Sequence, residues 1–143
     1  MDPACQIDFY VLARPTQSAG ELACRLAMRA WEQGHRVLVR VANDEDARRL
    51  DEQMWDCPAG RFVPHGRGGA AADAPVGIET AGNRVPGERD LLINLCVEPV
   101  ADVNRFRRLL EIVPAEPAQR DASREKFRNY RALGLSPETH PMG

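Results

Sequence analysis

Three short runs of apolar residues, spaced along the chain and separated by stretches with helical periodicity, constrain the fold more than any other feature. They are Ile7-Asp8-Phe9-Tyr10-Val11-Leu12, Arg36-Val37-Leu38-Val39-Arg40-Val41 and Asp90-Leu91-Leu92-Ile93-Asn94-Leu95-Cys96. Nearly continuous apolar runs of this length belong to strands buried on both faces, as in a parallel sheet covered by helices. Ser18 and Glu21 form a capping box ahead of Leu22, Ala23, Leu26, Ala27 and Ala30, which share one helical face, and Gly34 ends that helix. Asn43 caps a second helix. Asp44, Glu45 and Asp46 favour its positive end, Ala47, Leu50 and Met54 point inward, and the helix stops before Cys57-Pro58. Strands alternating with helices predict an α/β layer structure with a mainly parallel central sheet.

The rest of the chain is more fragmentary. Residues 61–65 read as a short extended piece, and Gly66 to Asp73 as a mobile glycine-rich loop. Val76 to Glu79 reads as a short strand and residues 83–89 as a polar turn. Residues 102–110 read as a helix, since Val103, Phe106, Leu109 and Leu110 recur at helical spacing. Glu111-Ile112-Val113 is extended. A last helix covers residues 117–133, closed by Gly134, and residues 136–143 read as a flexible tail. The expectation is one domain spanning residues 1–143, a length suited to a single core.

Composition narrows the function classes. Hydrophobic residues make up 43% and charged residues 28%, which excludes wholesale disorder and fibrous folds. No apolar run approaches the roughly 20 residues that span a bilayer, so no membrane association is expected. The N-terminus is acidic and lacks the apolar stretch of a secretory signal, so a cytoplasmic location is expected. Cys5, Cys24, Cys57 and Cys96 form no CxxC pair and no histidine pair completes a zinc pattern, so reduced buried thiols are expected and no metal. The net charge of −2 argues against a chain that binds polyanions over its whole surface.

Catalytic patterns are missing too. Ala13-Arg14-Pro15-Thr16-Gln17 follows the first strand with no glycine cradle for phosphate. Gly66-Arg67-Gly68-Gly69 lacks the lysine and hydroxyl residue of a phosphate-binding loop. His35, His65 and His140 are scattered, and no G-x-S-x-G elbow exists. The expectation is a protein without catalytic residues or cofactor.

Two surfaces stand out instead. On the last helix, Arg120, Arg124, Arg128 and Arg131 fall within about 80° of one another at 100° per residue, with Phe127 at the edge and Ala122, Tyr130 and Leu133 on the core flank. Asp121 and Glu125 fall outside the stripe, so the guanidinium groups are expected to repel one another without relief. Such a stripe suits an anion joined to an apolar group. Trp55 and Phe62 flank a turn and make a second surface if exposed, or core if not.

The chain resembles the chi subunit family of bacterial DNA polymerase III over nearly its whole length. The resemblance is strongest in Arg49-Leu50-Asp51-Glu52-Gln53-Met54-Trp55 and Phe62-Val63-Pro64-His65, and ends in Arg124-Glu125-Lys126-Phe127-Arg128-Asn129-Tyr130-Arg131. It implies a Rossmann-like fold without nucleotide binding. It implies a non-catalytic accessory subunit that binds the acidic C-terminal tail of single-stranded DNA-binding protein, which ends in proline-phenylalanine. The matching positions are Val113, Arg120, Arg124, Phe127 and Arg128, where the family often has tyrosine for Phe127 and lysine for Arg120 and Arg128. It further implies binding of the psi subunit, a link to the clamp loader, through Trp55 and Phe62, with DNA reached only indirectly. The loop from Gly66 to Asp73 departs from the family. Two rival readings stay open: a degenerate nucleotide-binding α/β enzyme, and a direct binder of single-stranded DNA through arginines beside Phe127 and Tyr130.

Overall fold

The computed structural model describes residues 5–57, 60–67, 73–80 and 88–142. In chain order its elements are β1 (Gln6–Leu12), α1 (Ala19–Glu32), β2 (Val37–Val41), α2 (Asp44–Met54), β3 (His65–Arg67), β4 (Val76–Thr80), β5 (Leu91–Asn94), a 3-10 turn (Val103–Arg105), β6 (Arg108–Val113), α3 (Pro117–Ala132) and β7 (Glu138–Met142). The strands form one seven-stranded sheet in the order β3-β4-β2-β5-β6-β1-β7. Every neighbouring pair is parallel. The expected α/β fold with a parallel sheet between helices is the fold observed.

Period-two alternation distributes the strand residues between two cores. Leu12, Val37, Val39, Val41, Ile78, Ile93 and Ile112 pack with Cys24 and Ala27 of α1 and with Leu50 and Met54 of α2. Ile7, Phe9, Leu38, Leu92, Leu109 and Val113 pack on the opposite side with Val100, Val103, Phe106 and Tyr130. Each fully buried large side chain contributes about 1.5–3 kcal/mol before the chain's entropy is counted. All four cysteines are buried free thiols, and burial pushes those of Cys5 and Cys96 up to about 11.

The helix expected over residues 102–110 is not formed. Only Val103–Arg105 turns, and Arg108–Val113 is a central strand between β5 and β1. Leu109 and Leu110 enter opposite cores, so this strand is apolar on both faces and shows no period that separates it from a buried helix. The tail expected over residues 136–143 is also corrected. Glu138–Met142 pairs with β1 from Asp8↔Glu138 to Leu12↔Met142. Its polar sequence fits an edge strand, where Pro141 forfeits little by lacking an N–H. His140 Nε2 lies 2.8 Å from Asp8 Oδ1, its ring stacks on Tyr10, and Gln17 Nε2 donates to Met142 O at 2.8 Å. Gly66 and Arg67, expected in a loop, belong to β3. Residues 68–72 of that loop and 83–87 of the polar turn lie outside the described residues.

Candidate binding surfaces

Helix α3 begins at Pro117, which suits the first helical turn. Its axis lies over β1 and β6 because Tyr130 and Phe127 bury against Phe9, with ring centroids 6.1 and 5.5 Å apart. That placement leaves a groove of about 340 Å³ between the helix and the edge of the sheet. Arg120, Ser123 and Arg124 line it from the helix, and Val11 of β1, Ala13 just after it and Pro141 of β7 line it from the sheet edge. Arg120 Nη2 donates to Leu12 O at 3.3 Å. Cations and an apolar wall therefore face each other across one cleft.

The expected site residues separate into layers here. Arg120 and Arg124 line the groove itself. Phe127 is half-buried beside Phe9, Arg128 is exposed one turn further on, and Val113 is only 3% exposed, in register with Val11. The open apolar wall is thus Val11, Ala13 and Pro141 rather than Val113, whose side chain is closed into the core. The stripe also has relief that the helical wheel did not suggest. Arg124 pairs with Asp121 at 2.7 Å and Arg128 pairs with Glu125. Acids placed three residues earlier can reach back along a helix although they project elsewhere on the wheel. All four side chains are about two-thirds exposed or more, so each pair contributes at most about 1 kcal/mol. Leu133, expected on the core flank, is 59% exposed at the helix end.

The inner face of α3 carries a polar network that sequence reading missed. Lys126 Nζ donates to Glu111 Oε1 at 2.8 Å and to Cys96 O. Tyr130 Oη donates to Glu111 Oε2 at 2.5 Å and accepts from Val100 N at 2.9 Å, while Asn94 Nδ2 donates to both Glu111 oxygens. Burial first, then the negative charge of Glu111, pushes the Tyr130 phenol far above its usual range, so it stays a neutral donor. Beyond it, Arg40 bridges Glu79 and Asp102 at 2.7 and 3.1 Å. Burial alone would raise the Asp102 carboxyl, but hydrogen bonding and charge from Arg40, then a hydrogen bond from Arg105, outweigh it and hold Asp102 at about 2. The only signal in the sequence was Lys126, the chain's one lysine, four residues before Tyr130.

Trp55 caps the C-terminal end of α2, and Phe62 follows the turn. Trp55 is 63% and Phe62 48% exposed, and their rings stack with centroids 5.3 Å apart. His65 braces both rings from behind, at 5.4 and 5.7 Å. Its ring nitrogens are fixed by Val63 O at 2.8 Å and Asp51 O at 3.1 Å. Two large aromatic rings held rigid and open to solvent suit an interface anchor, because little side-chain entropy remains to be lost on binding. The sequence had left this pair open between surface and core.

Other chemistry-bearing groups have structural explanations. Gln17 Oε1 accepts from the amides of Ala13 and Arg14 at 2.7 and 2.8 Å, so the loop after β1 turns these N–H groups toward its own side chain. Asp8, Glu138 and His140 could together offer three metal ligands. Asp8 already accepts from Arg108 and Gln6 on one oxygen and faces His140 on the other, an arrangement that staples β7 to β1. Among the described residues, no helix is long and apolar enough to cross a membrane.

The sequence profile of the family described as DNA polymerase III chi subunit, HolC, matches residues 5–138. DNA polymerase III subunit chi of Pseudomonas aeruginosa is 40% identical over 141 residues, covering 96% of both chains. Its counterpart in Escherichia coli is 33% identical over 138 residues, covering 92% of this chain and 94% of that one. The chain belongs to the DNA polymerase III chi subunit family. The chi fold also resembles that of the Saccharomyces cerevisiae protein Dbp5, with a TM-score of 0.65 over 99% of this chain and 43% of the other, at 12% identity. That likeness concerns the arrangement of sheet and helices alone. Within the chi framework, the groove beside α3 and the Trp55–Phe62 pair lie in different parts of the sheet. The groove adjoins the C-terminal end of β1 next to edge strand β7, and the aromatic pair adjoins the start of edge strand β3.

Proposed function

We propose that this chi subunit is a non-catalytic, cytoplasmic adaptor that holds the acidic C-terminal tail of single-stranded DNA-binding protein beside α3 and the psi subunit on Trp55 and Phe62. The carrying observation is the groove that sets Arg120 and Arg124 against Val11, Ala13 and Pro141. A tail ending in proline-phenylalanine offers a terminal carboxylate and a phenyl ring on one residue, and the groove offers a cation and an apolar wall at matching positions. Arg124 takes the carboxylate, giving up its exposed bond to Asp121 for a more desolvated one. The ring lies against Val11 and the open edge of Phe127, with Val113 beneath. Arg120 and Arg128 form the charged rim that draws in the acidic residues preceding the ring. The exposed, stacked aromatic pair supports the second contact, with psi as the link to the clamp loader.

The test is titration of the purified protein with an acidic peptide ending in Pro-Phe and with its C-terminal amide. Arg124→Ala and the amide are each expected to cost about 2–5 kcal/mol of binding. Combined, they are expected to cost much less than their sum, because both remove one interaction. Additive losses would place the carboxylate elsewhere, and undiminished binding by Arg124→Ala would remove α3 from the site.

A further inference from the structure

Four arginines converge where the central strands begin. Arg36 precedes β2, Arg89 precedes β5, and Arg105 and Arg107 precede β6; with Gly34, Glu88 and Asp90 they line a depression of about 570 Å³. The two acids of the lining, Glu88 and Asp90, are outnumbered by its four arginines. Asp90 Oδ2 lies 2.5 Å from His35 Nδ1, and its Oδ1 accepts from the Arg36 amide at 2.7 Å. Arg105 reaches Asp102 at 3.0 Å, but Asp102 also serves Arg40. Neither Arg36 nor Arg107 makes a side-chain ion pair among the described residues, and both are exposed. Arg89 is buried and its Nη1 donates to the carbonyls of Val37 and Pro75 at 3.1 and 3.0 Å. Burial, then the positive charge of Arg36, lowers its pKa. A chain of net charge −2 therefore concentrates cations in one concavity.

We propose that this depression binds phosphate groups, and that its ligand is the phosphodiester backbone of a nucleic-acid strand crossing the N-terminal end of the sheet. The lining favours that ligand over three others. Among the described residues its lining holds no aromatic ring and no large apolar side chain, so a free nucleotide would find no partner there for its base. An acidic peptide of the kind suited to the α3 groove would find no wall for an apolar anchor. Inorganic phosphate would engage one or two guanidinium groups, whereas these stand before three different strands. A backbone supplies several phosphates in succession, and arginine binds each through a planar fork of donors. The inference goes beyond the adaptor reading, and adds direct binding where that reading has DNA reached only through partners.

The experiment is fluorescence anisotropy of the full chain with a short labelled oligothymidylate at low salt, repeated across a salt series. Saturable binding is expected, weakening with salt. In the double variant Arg36→Ala with Arg107→Ala the affinity is expected to fall about tenfold, and the slope of log K against log salt to become shallower by about 0.7 for each phosphate that the variant no longer neutralises. The matching Arg36→Lys with Arg107→Lys variant should keep most of both. Both positions are exposed, so folding is preserved, and an unchanged melting temperature checks it. No saturable binding, or binding that survives the double alanine variant, overturns the proposal. Competition by inorganic phosphate at equal phosphate concentration would reduce the site to a single-anion pocket, and equal competition by polyglutamate would reassign it to an acidic protein. Loss of oligonucleotide binding in Arg124→Ala alone would move the binding to α3. The adaptor reading fails separately, since the Pro-Phe peptide is expected to bind both double variants unchanged.

Discussion

On the inner face of α3, Lys126 reaches Glu111 at 2.8 Å; on the outer face, Arg124 reaches Asp121 at 2.7 Å. The bond lengths are nearly equal, but the surroundings are not. The inner pair is 5% and 0% exposed and the outer pair 67% and 73%. Breaking a buried pair leaves a charge without solvent and costs about 3–5 kcal/mol, whereas an exposed pair is worth about 0–1 kcal/mol. The same helix is thus fixed to the sheet by one face and left with exchangeable charges on the other. Fixing matters for binding: Arg120 and Arg124 face Val11 and Pro141 only because Lys126 and Tyr130 set the height and roll of the helix.

The largest effect is expected from the inner face. Lys126→Met should lower unfolding stability by about 3–5 kcal/mol in a denaturant titration. Restoring neutrality with Glu111→Gln in the same chain should recover part of that loss. A cost under about 1 kcal/mol would mean that the buried pair is no stronger than the exposed ones, and the contrast would collapse.

Tyr130→Phe should follow, at about 1–3 kcal/mol, because Glu111 loses a donor and the Val100 amide loses its acceptor. Near-neutral stability would show that water replaces the phenol there.

Acid should then separate the regions without mutation. Asp102 titrates at about 2 in the folded protein, against an ordinary value of 3.8. Its contribution to stability is therefore present above the ordinary value and is lost as pH falls from there through about 2. Arg40→Met should flatten that part of the acid limb of a stability–pH curve. An unchanged limb would show that other carboxylates dominate it.

Much of this architecture could be read from the sequence, because local signals and tertiary structure agreed. Ser18 and Asn43 cap the first two helices by accepting from Glu21 N and Asp46 N at 3.1 and 2.8 Å. The second half of β6, Glu111 to Val113, was legible as extended, but Arg108 to Leu110 read as part of a helix, because a strand buried on both faces has no alternation and Val103, Phe106 and Leu109 imitate a helical stripe. Strand β7 escaped because its polar residues gain their place from Asp8, Tyr10 and Gln17, more than a hundred residues away in the chain. The arginines of α3 were legible as one face, since that depends only on helical geometry. Their apolar counterparts Val11, Ala13 and Pro141 were not, since they meet the helix only through the sheet. Lys126 is the reverse case: a long cation reads as surface until Glu111 is known to lie beneath it.

The smallest effect bears most directly on what an exposed pair is for. Asp121→Asn removes the acid that engages Arg124 and leaves the side chain's shape nearly unchanged. Stability should move by no more than about 0.5 kcal/mol, as for surface substitutions generally. Binding of the Pro-Phe peptide should tighten, because Arg124 no longer exchanges one carboxylate for another and a negative charge beside the acidic peptide is gone. The gain should be bounded by the worth of the exposed pair, at most about 1 kcal/mol or roughly fivefold in affinity. It should shrink as salt is raised, since screening acts over about 8 Å at physiological ionic strength. Calorimetric titration at two salt concentrations reads both quantities. Weaker binding would reverse the interpretation: Asp121 would then hold Arg124 in its binding rotamer, and the outer pair, like the inner one, would be a device of position. The corresponding inner change, Glu111→Gln, should cost stability instead, because Lys126 would be left charged and buried with no opposite charge beside it.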